Sequence, residues 1–150
     1  MAGPASQSEI KIRRARGTDA TRLAVLSGEL GYPTTTTEMT GRLRRVLPKP
    51  DHIVLVAETN REVIGWLHLS LYYLLESPSL AEVNGLIVGE GQRSAGAGAK
   101  LLAAAEAWAR KKKCALMMVR SNVIRERAHA FYERQGFEHF KTSKVFRKTL

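Results

Sequence analysis

A glycine-rich stretch, QRSAGAGAKLL, lies directly before a run of helix-forming residues. The first N–H groups of a helix have no partner within the helix, and the positive end of its dipole attracts anions. Glycine lets an anion approach the backbone closely. The stretch from Gln92 to Leu102 could therefore hold a phosphate group, or it could be an ordinary loop that packs closely against the helix.

A single carboxylate, Glu82, interrupts the apolar run LAEVNGLIV. A carboxylate at such a place can accept a proton during catalysis. The alternation of side chains along a strand would instead place Glu82 on a solvent-exposed face, and the residues alone favour that placement. Gly85 in the same run could mark a bulge or the close approach of a substrate.

Other candidate residues have ordinary structural explanations when spacing alone is considered. Tyr132 lies in AHAFYERQGF, where Ala128, Phe131 and Tyr132 have the spacing of one packed helix face. The four histidines are scattered and accompany no nucleophile motif, so none is assigned a catalytic role. His68 could line a binding site, but a half-buried structural histidine is the better prediction.

Strands and helices must position these residues. We predict strands in IKIRRA, HIVLVAE, VIGWLHLSLYYLL, LAEVNGLIV and ALMMVRS, and terminal strands in FEHF and KVFRKTL. We predict helices in TDATRLAVLSGEL, with Asp19 or Thr18 as N-cap, in TEMTGRLRRVL, from about Gly96 to Lys113, and in RERAHAFYERQG. The pattern indicates one α/β (α+β) domain with a mixed sheet over residues 10–150, after a disordered tail at residues 1–9.

Length and composition narrow the class of protein. The 150 residues suit one domain, and 44% hydrophobic residues can form its core. The sequence has no apolar run of the length of a membrane span and no signal peptide, so we expect a cytosolic protein without a membrane partner. The single Cys114 is expected to be a small buried residue, and no metal site is predicted. The net charge of +10 attracts anions, but the basic residues are scattered without a nucleic-acid-binding motif, so we expect no nucleic-acid partner.

The order of motifs resembles the GNAT superfamily of N-acetyltransferases, which use acetyl-CoA. The resemblance is carried by AEVNGLIV, five connecting residues, SAGAG, a long helix, a strand and AHAFYERQGF. It covers roughly residues 10–148 and is sharpest from Ala81 to Phe137. It implies a mixed, mostly antiparallel central sheet flanked by about four helices, with a splayed pair of strands at the cofactor site. A dinucleotide-binding fold is disfavoured, because no acidic residue follows at the distance that suits a ribose.

The resemblance implies which residues hold coenzyme A. The acyl-CoA motif of the superfamily is Arg or Gln, two residues, Gly, any residue, then Gly or Ala, and residues 93–98 match it. N–H groups from about Ser94 to Ala99 would hold the pyrophosphate at the helix start, and the backbone of Leu86 to Val88 would pair with the pantetheine arm. The implied cofactor contacts are Leu86, Ile87, Val88, Arg93, Ser94, Ala95, Gly96, Ala97, Gly98 and Ala99, with Asn122 and Arg125 as weaker contacts. Many relatives carry a basic residue where this chain has Ala95, which would shift phosphate contact onto Arg93 or Lys100.

The resemblance also implies two catalytic residues, Glu82 and Tyr132. Glu82 matches the general base of related acetyltransferases. An acceptor amine is mostly ammonium at neutral pH, so a base must remove a proton, directly or through water, before nitrogen attacks the thioester. Tyr132 would protonate the departing thiolate or hold it by a hydrogen bond. A backbone N–H near Ile87 or Val88 would polarise the thioester carbonyl.

The sequence therefore predicts an acetyl-CoA-dependent N-acetyltransferase in which acetyl-CoA and a primary amine bind together and react directly. The short chain and its ending, KTSKVFRKTL, resemble small-molecule amine acetyltransferases, which favours a small amine as acceptor. Tyr32 and the threonines of GELGYPTT are candidates for acceptor contact. Dimerisation, common in the superfamily, would use the exposed terminal strand. The alternatives are a protein or peptide N-acetyltransferase of the same fold, a non-catalytic coenzyme-A-binding module and a basic nucleic-acid binder.

Overall fold

The computed structural model of the protein describes residues 9–93 and 95–150. Residues 1–8 of the predicted tail, and Ser94 of the predicted cofactor loop, lie outside the described residues. The chain divides into two compact units, Met1–Val119 and Arg120–Leu150. The single domain predicted over residues 10–150 stays a prediction.

The described part of the first unit contains five strands and three helices. The strands are β1 (Lys11–Arg14), β2 (His52–Thr59), β3 (Glu62–Tyr72), β4 (Leu80–Val88) and β5 (Leu116–Val119). The helices are α1 (Ala20–Glu29), α2 (Thr36–Val46) and α3 (Ala97–Lys111), and one-turn 3-10 helices cover Gly17–Asp19 and Glu90–Gln92. The second unit contains α4 (Glu126–Arg134).

The strands form one sheet in the order β1-β2-β3-β4-β5. The first three neighbouring pairs are antiparallel, whereas β4 and β5 are parallel. Within the described residues, the sheet is thus mixed and mostly antiparallel and is accompanied by four helices. This architecture confirms the fold class predicted from the sequence.

Helices cover both faces of the sheet. Apolar side chains of α1 and α2 form one core cluster with Val54 and Val56 of β2 and Ile87 of β4. Ile53 and Leu55, which alternate with Val54 and Val56 in β2, point to the opposite face. Helix α3 packs against β2, β3 and β4. Because both faces are covered, β2 reads as a continuous apolar run and not as an alternating one.

A tight turn joins β2 to β3. Thr59 pairs with Glu62, which leaves Asn60 and Arg61 as the turn residues. Their φ angles are 49° and 61°, so both are left-handed. Two such residues match the twist of antiparallel strands, and the turn therefore fixes the register of the hairpin.

The predicted terminal strands are wrong. In the described residues after Val119 the chain forms no strand, although FEHF and KVFRKTL alternate apolar and polar residues. Alternation is compatible with a strand, but a strand also needs a partner for its backbone groups, and residues 137–150 pair with none of the described strands. Phe140, Val145 and Phe146 are exposed, with 87% of the surface of Phe146 accessible.

Asp19 lies at the start of α1 as predicted, but its side chain does not cap that helix. Its carboxylate accepts hydrogen bonds from the backbone N–H of Arg16 at 2.7 Å and from the guanidinium of Arg13 at 2.9 and 3.0 Å. Arg13 also donates to Glu58 at 2.7 Å. Burial alone would raise the pKa of Asp19, but the hydrogen bonds from Arg13 and Arg16 outweigh burial and hold the pKa below its ordinary value. The carboxylate thus ties β1 to the start of α1.

Two glycines are expected to respond in opposite ways to substitution by alanine. A Cβ at Gly65 would lie 2.9 Å from the carbonyl oxygen of Ile87, so Gly65→Ala should lower the free energy of unfolding by about 1–3 kcal/mol. A Cβ at Gly41, inside α2, would meet no atom within 4 Å, and Gly41→Ala should raise the free energy of unfolding by about 0.5–1 kcal/mol. Urea unfolding measures both variants. A Gly65→Ala protein as stable as the wild type would contradict the close approach of β3 and β4.

Candidate active site

Glu82 is buried in β4, with 7% of its surface exposed. The exposed placement that the residues alone favoured is therefore wrong, because β4 has a strand on each side at this point and helices cover both faces of the sheet. Glu82 pairs with Ser70 of β3, which in turn pairs with His52 of β2. Directly opposite residues share a face, and His52 is two residues from Val54. The carboxylate thus lies on the face that α1 and α2 cover.

A β-bulge interrupts the pairing of β3 with β4. His68 pairs with Gly85 and the next residue, Leu69, pairs with Val83. Asn84 is therefore an extra residue in β4. The bulge that Gly85 was predicted to mark lies directly beside it.

Asn84 is exposed, although the four residues before it in β4 are buried. Its Nδ2 donates a hydrogen bond to Ser70 Oγ at 2.7 Å, and the hydroxyl of Tyr72 donates to its Oδ1 at 3.4 Å. The contact with Ser70 places the amide on the same face as Glu82.

Gly85 allows a close approach, as predicted, but the group that approaches is the side chain of Trp66 and not a substrate. A Cβ at Gly85 would lie 2.9 Å from two atoms of the Trp66 ring. The indole Nε1 of Trp66 is buried and, within the described residues, has no hydrogen-bond partner. Glycine at this position therefore lets the Trp66 ring lie close to the backbone of β4.

His52 and His68, to which the sequence assigned no role, contact each other. His52 Nδ1 and His68 Nε2 are 2.9 Å apart, and the rings stack with centroids 5.2 Å apart. Burial, with a smaller contribution from His52, lowers the pKa of His68 to about 4. His68 is therefore neutral at physiological pH, and one ring of the pair donates while the other accepts.

β4 has β5 as a neighbour along only part of its length. The parallel pairs run from Leu80–Leu116 to Val83–Val119, where β5 ends. From Gly85 to Val88, β4 pairs with β3, and within the described residues no strand pairs with its other edge. This arrangement is the splayed pair of strands that the resemblance implied.

The register shows which backbone groups point toward that unpaired edge. The N–H of Gly89 donates to the carbonyl of Ile64 at 2.8 Å, so Ile87, two residues earlier, also directs its backbone groups toward β3. Leu86 and Val88 alternate with Ile87 and direct their N–H and C=O groups the other way. Of the two N–H groups predicted as oxyanion donors, only that of Val88 points toward the unpaired edge.

The glycine stretch leads into α3 as predicted. Gly96 is the N-cap, with φ 85°, a left-handed conformation that favours glycine. In the described part of the chain, no side chain caps this helix. The N–H groups of Ala97, Gly98 and Ala99 therefore lie at the uncapped start of a helix, where Gly96 is exposed but Ala97 and Gly98 are buried.

One of the backbone N–H groups predicted to hold the phosphate is already used inside the loop. The N–H of Ala95 donates to the carbonyl of Gln92 at 3.1 Å, so it is engaged within the loop. Arg93 and Lys100, the two basic residues that flank the loop, are both exposed. Besides the N–H groups at the helix start, the exposed positive charges of Arg93 and Lys100 can therefore attract a phosphate.

The remaining predicted site residues belong to the second unit. Tyr132 is half-buried on α4, and its ring meets those of Phe131 and Phe137 edge to face at 5.4 and 5.6 Å. Burial raises the pKa of Tyr132, and the charge of Arg125 partly opposes that rise. The phenol is therefore protonated at neutral pH and can donate its proton.

Asn122 and Arg125 lie before α4. The side-chain oxygen of Asn122 accepts the backbone N–H of Ile124 at 3.1 Å, and its carbonyl accepts that of Arg125 at 3.0 Å. The same carbonyl lies 2.8 Å from His129 Nε2. Asn122 thus stabilises the turn that leads into α4, while Arg125 is exposed.

The loop between α1 and α2 is explained in part by capping. Thr35 accepts the N–H of Glu38 at 3.1 Å, and the Glu38 carboxylate accepts the N–H of Thr35 at 3.0 Å. This reciprocal pair fixes the start of α2. Tyr32 is exposed, and its contact with an acceptor stays a prediction.

Sequence reasoning missed Ser70, Asn84 and the contact between His52 and His68. A signal was present, because His68 and Ser70 in HLS, like Glu82 and Asn84 in EVN, stand at alternate positions. Alternate residues of a strand share a face. The pairing of β2, β3 and β4, which a single sequence does not reveal, brings these polar side chains together.

Two further features concern metals and membranes. In the described residues, no group of three or more His, Cys, Asp or Glu is placed to hold a metal ion. No helix in the same part of the chain is long and apolar enough to cross a membrane. Cys114 is half-buried, less than predicted, and burial raises the pKa of its thiol.

Comparison with known proteins gives matches along most of the chain. The model of the Acetyltransferase (GNAT) family matches residues 22–137. The uncharacterized N-acetyltransferase YhfO of Bacillus subtilis is 28% identical over 136 residues, which cover 86% of this chain and 90% of that protein. The aminoalkylphosphonate N-acetyltransferase of Salmonella typhimurium is 34% identical over 93 residues, 60% of each chain. The solved aminoglycoside N-acetyltransferase AAC(6')-Iy, in complex with CoA, has a TM-score of 0.87 at 19% identity and covers 98% of this chain and 99% of its own, which shows a shared fold.

The half-buried histidine pair is expected to make stability depend on pH. A histidine with a folded-state pKa below its unfolded value stabilises the fold above about pH 6.5, and this stabilisation is lost as pH falls toward 4, because the unfolded chain binds the proton first. Between pH 7 and pH 4 the wild type should lose more free energy of unfolding than His68→Gln, by on the order of 2 kcal/mol after a discount for partial exposure. Urea unfolding at the two pH values measures the difference. Equal losses in the two proteins would contradict a neutral, half-buried His68.

Proposed function

The chain belongs to the acetyltransferase (GNAT) family, and from that premise we propose that it acetylates the primary amine of a small molecule. Family membership makes the chain an acetyl-CoA-dependent N-acetyltransferase with acetyl-CoA as co-substrate, which confirms the enzyme class and co-substrate predicted from the sequence. The acceptor class, the site residues and the direct mechanism are the subject of the proposal. The predicted cytosolic location and homodimer stay predictions.

One observation carries the catalytic part of the proposal: a buried carboxylate lies in β4 shortly before that strand loses β5 as its neighbour. The amide groups of a pantetheine arm can pair with the backbone of Leu86 and Val88 along this edge. The glycine N-cap at Gly96 leaves the start of α3 accessible to the pyrophosphate. The residues present therefore fit the pantetheine arm and the pyrophosphate of coenzyme A.

The site residues act in one direct transfer within a ternary complex. Bound acetyl-CoA supplies a thioester, whose carbonyl carbon forms the new bond to nitrogen while its bond to sulfur breaks. Glu82 accepts a proton from the acceptor ammonium, directly or through water, which frees the nitrogen lone pair for attack. The N–H of Val88 donates to the carbonyl oxygen as negative charge develops there. The nitrogen loses a second proton as the amide forms, and this proton balances the one that sulfur gains. Tyr132 donates its phenolic proton to the sulfur or holds the thiolate by a hydrogen bond.

The names of related proteins support a small amine as acceptor. One relative is an aminoalkylphosphonate N-acetyltransferase, and a structural neighbour is an aminoglycoside N-acetyltransferase. The net charge of +10 would repel a polycationic aminoglycoside and attract an amine that also carries an acidic group. An aminoalkylphosphonate-like amine is therefore the acceptor class that the charge favours.

Release of free thiol from acetyl-CoA tests the acceptor with three amines: aminomethylphosphonate, neamine and a lysine-containing peptide. We expect the highest kcat/KM with aminomethylphosphonate. With that amine, Glu82→Gln should lower kcat by about 100- to 10,000-fold, because the loss of the base leaves the ammonium protonated. The affinity for acetyl-CoA, measured by calorimetry, should not change. Glu62→Gln, at an exposed carboxylate that begins β3 and pairs with Arg22, serves as the matched control.

The other outcomes decide between the alternatives. Acetylation of the peptide alone would replace the small amine by a protein or peptide acceptor. Binding of acetyl-CoA without acetylation of any amine would favour a non-catalytic coenzyme-A-binding module. A kcat of Glu82→Gln equal to that of the wild type would remove Glu82 from the mechanism.

Ala99→Glu tests whether pyrophosphate binds at the start of α3 without destabilising that helix. Ala99 lies in the first turn, where a negative charge stabilises a helix but repels a bound pyrophosphate. The dissociation constant for acetyl-CoA should rise on the order of tenfold, with a melting temperature equal to or above that of the wild type. Ala99→Gln, of similar size without the charge, is the control and should bind acetyl-CoA within about threefold of the wild type. Equal affinities in both variants would contradict a pyrophosphate at the helix start.

A further inference from the structure

We propose that Asn84 is a specificity-determining residue, whose amide, held by Ser70 and Tyr72, binds the acceptor amine beside Glu82. This inference rests on the proposed function and deepens it, because it assigns acceptor recognition to a residue of the β4 bulge. The resemblance to the superfamily gave Asn84 no role. Its position and hydrogen bonds carry the inference.

Asn84 is accessible at a point where the sheet is otherwise covered. The residues Leu80–Val83 before it are buried, and β4 is an interior strand along that stretch. Asn84 is the extra residue of the bulge, which redirects its side chain without breaking the pairing on either side. A molecule that approaches β4 at this point therefore meets an amide rather than an apolar side chain.

The amide is fixed before any ligand binds. Ser70, only 3% exposed, accepts one amide hydrogen at 2.7 Å, and the Tyr72 hydroxyl donates to the amide oxygen at 3.4 Å. These two bonds use one of the two Nδ2 hydrogens and one of the two Oδ1 lone pairs. The amide thus keeps the capacity to accept a further hydrogen bond, and its fixed orientation reduces the entropy lost on binding.

The chemistry of a primary ammonium fits this arrangement. An ammonium carries three N–H donors, of which Glu82 removes one as base. Asn84 Oδ1 can accept a second, from the same face of the sheet and two residues along the same strand. The ring of Tyr72, which is partly exposed, adds an aromatic surface that attracts a cation. Together these groups orient the nitrogen before its proton is removed.

Asn84→Ala and Asn84→Asp separate binding of the amine from support of the bulge. Alanine removes the oxygen acceptor and the Nδ2 donor, whereas aspartate keeps an oxygen acceptor and loses the donor to Ser70. With aminomethylphosphonate as the probe amine, Asn84→Ala should raise the KM of the amine about tenfold, the loss expected for one hydrogen bond to a charged group. Asn84→Asp should keep it within about threefold of the wild type. The KM for acetyl-CoA should not change in either variant.

Two further variants test whether the amide must be fixed. Ser70→Ala removes the partner of Nδ2 and should raise the KM of the amine by a smaller factor, about threefold. Ser77→Ala, at an exposed residue between β3 and β4, is the control and should behave as the wild type. If Asn84→Ala does not fold, Asn84→Gln, whose amide is displaced by one methylene group, should raise the KM of the amine in the same way.

The outcomes distinguish this inference from the proposed function. An unchanged KM of the amine in Asn84→Ala, whether or not the melting temperature falls, would overturn the inference and leave Asn84 as a structural residue of the bulge. If Glu82→Gln keeps full kcat while Asn84→Ala raises the KM, the base is wrong and the amine-binding role stands. A wild-type protein that binds acetyl-CoA but acetylates none of the three amines would overturn both.

Discussion

Among the described strands, β4 pairs with two neighbours along its first four residues and with β3 alone along its last four. The candidate site depends on this change of partners. The first part of the strand buries Glu82 between neighbours, and the second part directs backbone groups of Leu86 and Val88 toward an unpaired edge. N–H and C=O groups at such an edge require hydrogen-bond partners, and an arm that carries amides can provide them. The bulge at Asn84 lies where one arrangement gives way to the other.

The sheet face around Glu82 has an apolar part and a polar part. Near α1 and α2, Val54, Val56 and Ile87 form an apolar cluster that stabilises the fold. Farther along the same face, polar side chains replace apolar ones, and burial of a polar group costs about 1–3 kcal/mol unless it is hydrogen-bonded. The contacts of His52 with His68, and of Ser70 with Asn84, offset that cost. The protein thus keeps a partly buried polar strip on this face, whose side chains hydrogen-bond to one another.

The sequence predicted the elements more completely than their contacts. Hydrophobic periodicity located β2, β3 and β4, and glycine followed by helix-forming residues located the start of α3, because each of these signals is local. The burial of Glu82 was not predictable from alternation, since it depends on helices that cover both faces of the sheet. The prediction of terminal strands was wrong for a related reason. KVFRKTL has the alternation of a strand, but a strand forms only where its backbone can pair with another strand. Gly85 indicated a bulge in β4, but the register between β3 and β4 decides that Asn84 is its extra residue.

In the proposed mechanism the two substrates are recognised by different kinds of groups, and this difference limits what a resemblance between sequences can show. In the proposed mechanism the cofactor is held by backbone groups of β4 and of the start of α3, which constrain residue types at few positions, such as the left-handed Gly96. The acceptor is held by side chains, Asn84 with Ser70 and Tyr72, which any relative can exchange without a change of fold. A shared motif therefore identifies the cofactor across distant relatives, whereas the acceptor has to be inferred from the side chains of each protein. For this chain, the hydrogen bonds of the bulge and the net charge of +10 provide that inference.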